Sequence, residues 1–290
     1  MHILDSKMKG LLPYTINVRG KLLDLSEPKV MGILNVTPDS FFDGSRKQSE
    51  KDIRERVRQI VEEGGDIIDI GAYSTRPGAS DVTEEEEKRR LSFCLSTLRD
   101  EAPDAIVSVD TFRSDVARMC VQEYGAAIIN DVSGGLMDPD MFNTVAALNV
   151  PYVLTHNNGD IHKIQDNTQY DDVMKSVMLF FAEKVQALRD LGQKDIIIDP
   201  GFGFSKTLEQ NYRIMSRLEN LKVLGLPILS GVSRKSMIYK CLGNTPREAL
   251  NGTTVLNTVS LMKGANLIRV HDVRECVEAV KITRMLRESL

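Results

Sequence analysis

The sequence predicts an α/β protein, a (β/α)8 TIM barrel preceded by a β-hairpin, and three observations carry that expectation. Short apolar runs recur without polar alternation, the pattern of parallel strands covered on both faces. Stretches long enough for a crossover helix separate consecutive runs. A repeated phrase, a helical stretch closed by Gly and followed at once by an apolar run, marks the junctions from helix to strand.

In chain order, residues 1–28 form an extension and residues 29–290 the barrel. Thr15 to Ser26 alternates around Arg19-Gly20, as a hairpin does that plugs a barrel's N-terminal mouth. Eight runs then read as strands: Val30 to Asn35, Ile67 to Ile70, Ile106 to Asp110, Ala127 to Asp131, Tyr152 to His156, Ile196 to Asp199, Ile228 to Ser233 and Leu267 to His271. The Gly-closed phrase recurs at Glu62 to Gly71, Glu123 to Val132, Asp190 to Gly201 and Met262 to Val273. Helix starts are signalled by Thr83 with Glu86 and by Thr207 with Gln210 as capping boxes. Asp138-Pro139 and Thr245-Pro246 each place an N-cap before a proline at the first helical position. Glu84 to Glu87, followed by Lys88, Arg89 and Arg90, reads as a solvated first turn paired at i,i+4 rather than as a functional patch.

Composition narrows the function. A chain of 290 residues, 42% hydrophobic and 27% charged, can bury one large core. A net charge of -4 supplies no basic field, so no nucleic-acid partner is expected. No apolar run is long enough to span a bilayer and Met1 to Tyr14 has no apolar leader core, so the expectation is a cytoplasmic protein without a membrane partner. Cys94, Cys120, Cys241 and Cys276 lack CxxC spacing and read as buried free thiols.

In an α/β barrel the chemistry sits at the C-terminal strand ends. Here Asn35, Asp69, Asp110, Asn130 with Asp131, His156, Asp199, Ser233, and Arg269 with His271 close the runs and would meet at one mouth. A single Asp at a strand end is more often a turn former than a catalyst, so the convergence carries the argument. Asp110, Asn130 and Asp199 offer carboxylate and amide groups suited to the edge of a planar heterocycle. Arg76, Arg269 and His271, with Asn35, suit a multiply charged anion. The loops Asn35 to Arg46 and Ser74 to Thr83 read as lids, although connection alone would also explain them. Ser233, Arg234, Lys235 and Ser236 put two cations beside a helix start, a place for a carboxylate or ring oxygen, while solvated basic pairs remain the plain alternative.

The segments GILNVTPDSFFDG (Gly32 to Gly44), DIGAYSTRPGA (Asp69 to Ala79), SVDT, INDVSGG, DPGFGFSK (Asp199 to Lys206), SRKS and IRVHDV (Ile268 to Val273) together resemble the dihydropteroate synthases. The resemblance implies a transferase that joins pterin-methyl diphosphate to p-aminobenzoate in folate biosynthesis, with Mg2+ as cofactor and a homodimer built through the late helices. It implies that Asp110, Asn130, Asp199 and Lys235 hold the pterin. Asn35, Thr75, Arg76, Arg269 and His271 would hold the diphosphate, with Asn35 near the metal, and Thr75, Pro77, Phe204 and Ser236 would line the p-aminobenzoate pocket. The chain departs from the family at Thr155 to Asp160, THNNGD where most members read roughly MHMxGxP, so the methionine that usually flanks the pterin is Asn157.

Asp110, Lys235, Arg269 and His271 are the expected catalytic residues, with Arg269, His271, Arg76 and Mg2+ stabilising departing diphosphate and Asp110 the positive charge developing on the pterin. No Ser/His/Asp or Cys/His nucleophile arrangement is evident, in keeping with non-covalent catalysis. On this reading Arg269→Ala keeps the fold and loses turnover. Two other readings stay open: a related pterin barrel that moves a methyl group from methyltetrahydrofolate to a corrinoid protein, which would not need SRKS or the Arg269/His271 pair, and a catalytically silent pterin-binding paralogue, suggested by Asn157.

Overall fold

The computed structural model describes residues 14–36, 46–73, 82–159 and 168–289. β1 (Thr15–Val18) pairs antiparallel with β2 (Lys21–Asp24). Between them Arg19 and Gly20 take φ values of 51° and 79°, the two successive left-handed residues of a tight hairpin turn. Eight parallel strands follow: β3 (Lys29–Asn35), β4 (Ile67–Gly71), β5 (Ile106–Asp110), β6 (Ile128–Asp131), β7 (Tyr152–Thr155), β8 (Ile196–Asp199), β9 (Leu229–Ser230) and β10 (Leu267–Val270). The sheet order is β8-β7-β6-β5-β4-β3-β10-β9, and a parallel bridge between Ile198 and Ile228 joins its two ends into a barrel.

The helices outside the barrel are α1 (Arg46–Glu62), α2 (Glu84–Glu101), α3 (Ser114–Tyr124), α4 (Met141–Leu148), α5 (Val173–Asp190), α6 (Leu208–Ser216), α7 (Ser236–Leu242), α8 (Leu250–Met262) and α9 (Val273–Glu288). The glycines of the repeated phrase do what the pattern requires. Gly64, Gly125, Gly192 and Gly264 all have positive φ, from 71° to 97°, so each helix is turned back towards the next strand.

Strand side chains alternate, and the two sets pack into different cores. Met31, Ile67, Ile128, Val153, Ile197, Leu229 and Leu267 fill the barrel floor together with Ile16, Val18 and Leu25 of the hairpin segment. Val30, Ile68, Val107, Ile129, Leu154, Ile198 and Ile268 belong to the larger core beneath the helices. The hairpin is tied in by Asn17 N–H to Asp195 Oδ2 (3.0 Å) and by Asn266 Nδ2 to the Leu25 carbonyl (3.1 Å). It therefore plugs the N-terminal end. Counting two and four residues onward from the floor positions, and from Ile106 that packs against them on β5, brings Asp69, Asn130, Asp199 and Arg269, then Asn35, Asp110, Ser233 and His271, into the bore and mouth.

Several local expectations need correction. The run Ile228 to Ser233 supplies only two ladder residues, because its later part already turns towards α7. Asp138 does not cap α4, which starts after Asp140; its carboxylate instead accepts from Ser114 N–H (2.7 Å) at the start of α3. Thr83 accepts from Glu86 N–H, but Glu86 turns its carboxylate to Arg89 and Arg90, so no box closes there. The Thr207/Gln210 box does close, as does Thr245/Glu248, the latter on a 3-10 turn. Within the acidic block Glu87 is not solvated: it is fully buried, accepting from Thr111 Oγ1 (2.7 Å) and Arg113. Cys94, Cys120 and Cys276 are buried, whereas Cys241 is exposed on the last turn of α7. Among the described residues no helix is long and apolar enough to cross a membrane.

Because Ile16 is 1% exposed in the floor, Ile16→Ala should lower stability by about 2–5 kcal/mol. Denaturant unfolding checks this, and a loss below about 1 kcal/mol would mean that the hairpin is not part of the core.

Candidate active site at the barrel mouth

Arg269 on β10 joins the strands that face it. Its Nε donates to Asp69 Oδ2 on β4 (2.6 Å) and its Nη2 to Asp110 Oδ2 at the end of β5 (2.9 Å). Asn130 Nδ2 on β6 donates to the same Asp69 oxygen at 3.2 Å. Asp69 is wholly buried, so the guanidinium compensates a carboxylate that water does not reach. Burial, with Asp69 adding and Arg269 opposing, pushes the Asp110 carboxyl up to about 7.

The opposite wall is built on β8, β9 and the start of α7. A Cβ placed on Gly231 would lie 3.8 Å from Arg269 Cβ and 3.9 Å from both Asp199 Oδ2 and Lys235 Nζ, so these groups share one pocket. Asp199 Oδ1 accepts from Gly201 N–H at 2.7 Å. Lys235 Nζ donates to the Phe202 carbonyl (2.6 Å) and sits 4.4 Å from the centroid of the Phe204 ring, a cation–π contact. Burial lowers the Lys235 ammonium to about 8 despite Asp199. Arg234 does not share the mouth. It turns away to Asp272 with two hydrogen bonds, 2.9 and 2.8 Å, and to the Pro246 and Arg247 carbonyls, so one of the two SRKS cations is structural.

Beside the pocket, Asn35 and His271 line a cavity of about 340 Å³ with Ser49, Asp52 and Arg56 of α1. Asn35 Oδ1 and Asp110 Oδ2 are each 3.7 Å from the Cβ position of Gly71, so the cavity adjoins the Arg269 cluster. His271 Nδ1 is 3.0 Å from Ser233 Oγ, which also accepts the His271 backbone N–H. When Ser233 gives its proton to Nδ1, the imidazole presents Nε2–H outward. Burial, then the nearby Arg269, hold His271 down at about 4, so it is a neutral donor rather than a cation. Arg56 fixes this edge by donating to the Ile33 (3.1 Å) and His271 (2.6 Å) carbonyls.

The structure thus brings Asp110, Asn130, Asp199, Lys235 and Arg269 into one pocket, with Asn35 and His271 at its side. The Phe204 ring lies under the Lys235 ammonium, and Ser236 opens α7 as a partly buried residue. Thr75, Arg76 and Pro77 lie outside the described residues, as do 37–45 of the first loop and 74–81 of the second. Two strand-end residues do not join. His156 faces α5, with Phe180 at 5.0 Å, and Asp131 accepts from Tyr152 Oη at 2.6 Å and from Ser133 and Gly135 N–H. Acid and cation are interleaved across the mouth rather than sorted to opposite sides.

Some residues with clear roles in the site escape a reading of the sequence. Asp69 is visible as a strand end, but its pairing with Arg269 is not. Lys206 is buried and donates to the Gly201 (3.0 Å), Phe204 (2.9 Å) and His156 (3.4 Å) carbonyls, pinning the turn that carries Phe204. Burial lowers it to about 7. The Asp69 pairing also gives Arg269→Ala a cost in stability besides its loss of turnover, because it leaves a wholly buried carboxylate without its cation. An unpaired buried carboxylate costs about 3–5 kcal/mol, so Arg269→Lys is the gentler probe.

A family model described as "Pterin binding enzyme" matches residues 31–271. The chain is 40% identical to the dihydropteroate synthase of Escherichia coli K12, covering 91% of this chain and 93% of that protein. Identity to the dihydropteroate synthase of Clostridium beijerinckii is 42%, over 89% and 93%. The solved Xanthomonas albilineans dihydropteroate synthase with 4-aminobenzoic acid superposes with a TM-score of 0.86 at 37% identity, covering 95% of this chain and 99% of that one. The Yersinia pestis dihydropteroate synthase in a sulfonamide drug complex gives 0.87 at 37%, covering 95% and 100%.

In the unliganded protein, Asp110 should titrate at about 7 and Lys235 at about 8, while His271 stays neutral down to about 4. Side-chain NMR against pH reads all three. An Asp110 that stays ionised down to pH ~4 and a Lys235 that keeps its proton to pH ~10 would contradict this account of the burial.

Proposed function

We propose, for a chain that belongs to the pterin-binding enzymes and within them to the dihydropteroate synthases, a division of labour across one electrostatic cluster. The protein is a transferase that condenses 7,8-dihydropterin-6-ylmethyl diphosphate with p-aminobenzoate, giving 7,8-dihydropteroate and diphosphate in folate biosynthesis. In our reading Asp110, Asn130, Asp199 and Lys235 hold the pterin by its donor and acceptor edge. The observation that carries the reading is the Arg269 guanidinium shared by Asp69 and Asp110 beside the Asp199–Lys235 wall.

The amine nitrogen attacks the pterin methylene carbon as the C–O bond breaks, diphosphate leaves with the bonding pair, and the nitrogen gives up a proton. Cleavage runs ahead of attack, so charge control at the leaving group and ring outweighs activation of the amine. An ionised Asp110 stabilises the positive charge that develops on the pterin. Arg269, placed between ring and leaving group, and the Nε2–H of His271 meet the diphosphate, together with Asn35, Thr75 and Arg76. Phe204 and Ser236, with Thr75 and Pro77, line the p-aminobenzoate pocket. In this scheme kcat/KM falls below pH ~7 as Asp110 takes a proton and above pH ~8 as Lys235 loses one.

Mg2+ is the proposed cofactor. Among the described residues no group of three or more His, Cys, Asp or Glu side chains is assembled for a metal. The exposed Asn35 amide oxygen, beside the cavity that Asp52 and Ser49 also line, suits an ion that keeps most of its ligands as water and phosphate oxygens. When bound it would neutralise charge on the leaving diphosphate. The protein is proposed to work in the cytoplasm as a homodimer, a reading supported by Val255 and Met262 on α8 and Ile282, Met285 and Leu286 on α9, all apolar and about half exposed or more.

The methyl-transfer reading is less favoured, since it leaves the pocket shared by Arg269 and Lys235 without a use. Incubation with the pterin diphosphate, p-aminobenzoate and Mg2+ should release diphosphate, and Arg269→Lys should slow release about 10²- to 10³-fold in a folded protein. Chelating Mg2+ should suppress turnover, and a monomeric mass in solution would contradict the dimer. Folded wild-type protein that releases no diphosphate would overturn the assignment in favour of a silent pterin binder.

A further inference from the structure

Asn157 stands on the same inward register as the mouth residues, two positions beyond Thr155 and four beyond the floor residue Val153, while His156 between them faces α5. It is 2% exposed. Its orientation is fixed from one side: Oδ1 accepts from Ser205 Oγ at 2.7 Å and from Asn158 N–H at 2.8 Å. Ser205, 1% exposed and at φ 48°, is held in place by the turn that Lys206 pins. Because both partners are donors, the carbonyl end of the amide is the end they occupy, and Nδ2 is the end directed away. That Nδ2 is buried and has no acceptor among the described residues. A buried amide N–H2 left unpaired costs about 1–3 kcal/mol, so an arrangement that spends two donors on aiming it needs an acceptor to face it.

We infer that Asn157 is a specificity-determining residue whose Nδ2 donates a hydrogen bond to an acceptor, a ring nitrogen or carbonyl oxygen, of the bound pterin. The inference deepens the dihydropteroate synthase reading and rests on it. Gly201 to Lys206 is the common support: it carries the partner of Asn157, the Phe204 ring under Lys235, and the N–H that binds Asp199. Asn157 thus stands against the turn that also carries Phe204 and the N–H bound to Asp199, and an apolar side chain there would supply contact without a donor.

Two variants separate this role from a structural one. Asn157→Asp keeps both acceptor bonds and removes the donor. Asn157→Leu combined with Ser205→Ala removes the whole polar pair without stranding a hydroxyl. Calorimetric affinity for 6-hydroxymethylpterin should fall about tenfold in both, the loss expected for one buried hydrogen bond, while KM for p-aminobenzoate stays unchanged. Folded variants that bind the pterin as tightly as wild type overturn the inference and leave the enzyme assignment standing. Wild-type protein that binds no pterin overturns the assignment and this inference with it.

Discussion

The Asp69 carboxylate lies where water does not reach, so it must be neutralised by another side chain reaching in from a different strand. Arg269 is where this constraint is met: β10 supplies the guanidinium, β4 and β5 supply Asp69 and Asp110, and β6 adds the Asn130 amide. Such a cluster is stable only when the strands hold their register, because a slip of one residue would send every one of these groups into the apolar layer beneath the helices. The polar mouth therefore depends on the hydrocarbon floor. Met31, Ile67, Val153, Leu267 and the hairpin's Ile16 fix the level from which the polar residues are counted.

The same packing tunes the chemistry. Burial raises Asp110 and lowers Lys235 and Lys206, drawing groups that would otherwise titrate far apart into the neutral range. Arg269 remains charged because two carboxylates face it, and the neighbouring His271 is kept neutral first by its burial and then by that charge. Arg269 and the Lys235 ammonium thus sit in one pocket among Asp69, Asp110 and Asp199, and in the proposed reaction these cations answer the charge that shifts as the bond breaks.

Much of this was legible in the residues. The eight apolar runs, the glycines that end helices at positive φ, and the polar character of the strand ends follow from local chemistry, and the barrel follows from their repetition. Less legible was anything decided by pairing across strands. Nothing near Arg269 in sequence announces Asp69 as its partner, and Arg234 looks the equal of Lys235 until Asp272 captures it. His156 and Asp131 end strands as Asp110 does, yet alternation turns them outward. Glu87, one of four successive glutamates, falls on the same helix face as Leu91, Cys94 and Leu98, but the Thr111 and Arg113 that make its burial tolerable lie on another element and are not visible in that period.

The central claim is that Asp110 and Arg269, joined by their ion pair, act on the pterin diphosphate as one unit, Asp110 at the ring and Arg269 at the leaving group. A double-mutant cycle with Asp110→Asn and Arg269→Lys, read as affinity for the pterin-methyl diphosphate, tests it most directly. Coupling of about 1 kcal/mol or more, so that the double variant loses well short of the product of the single losses, is the predicted result. Losses that simply multiply would contradict it.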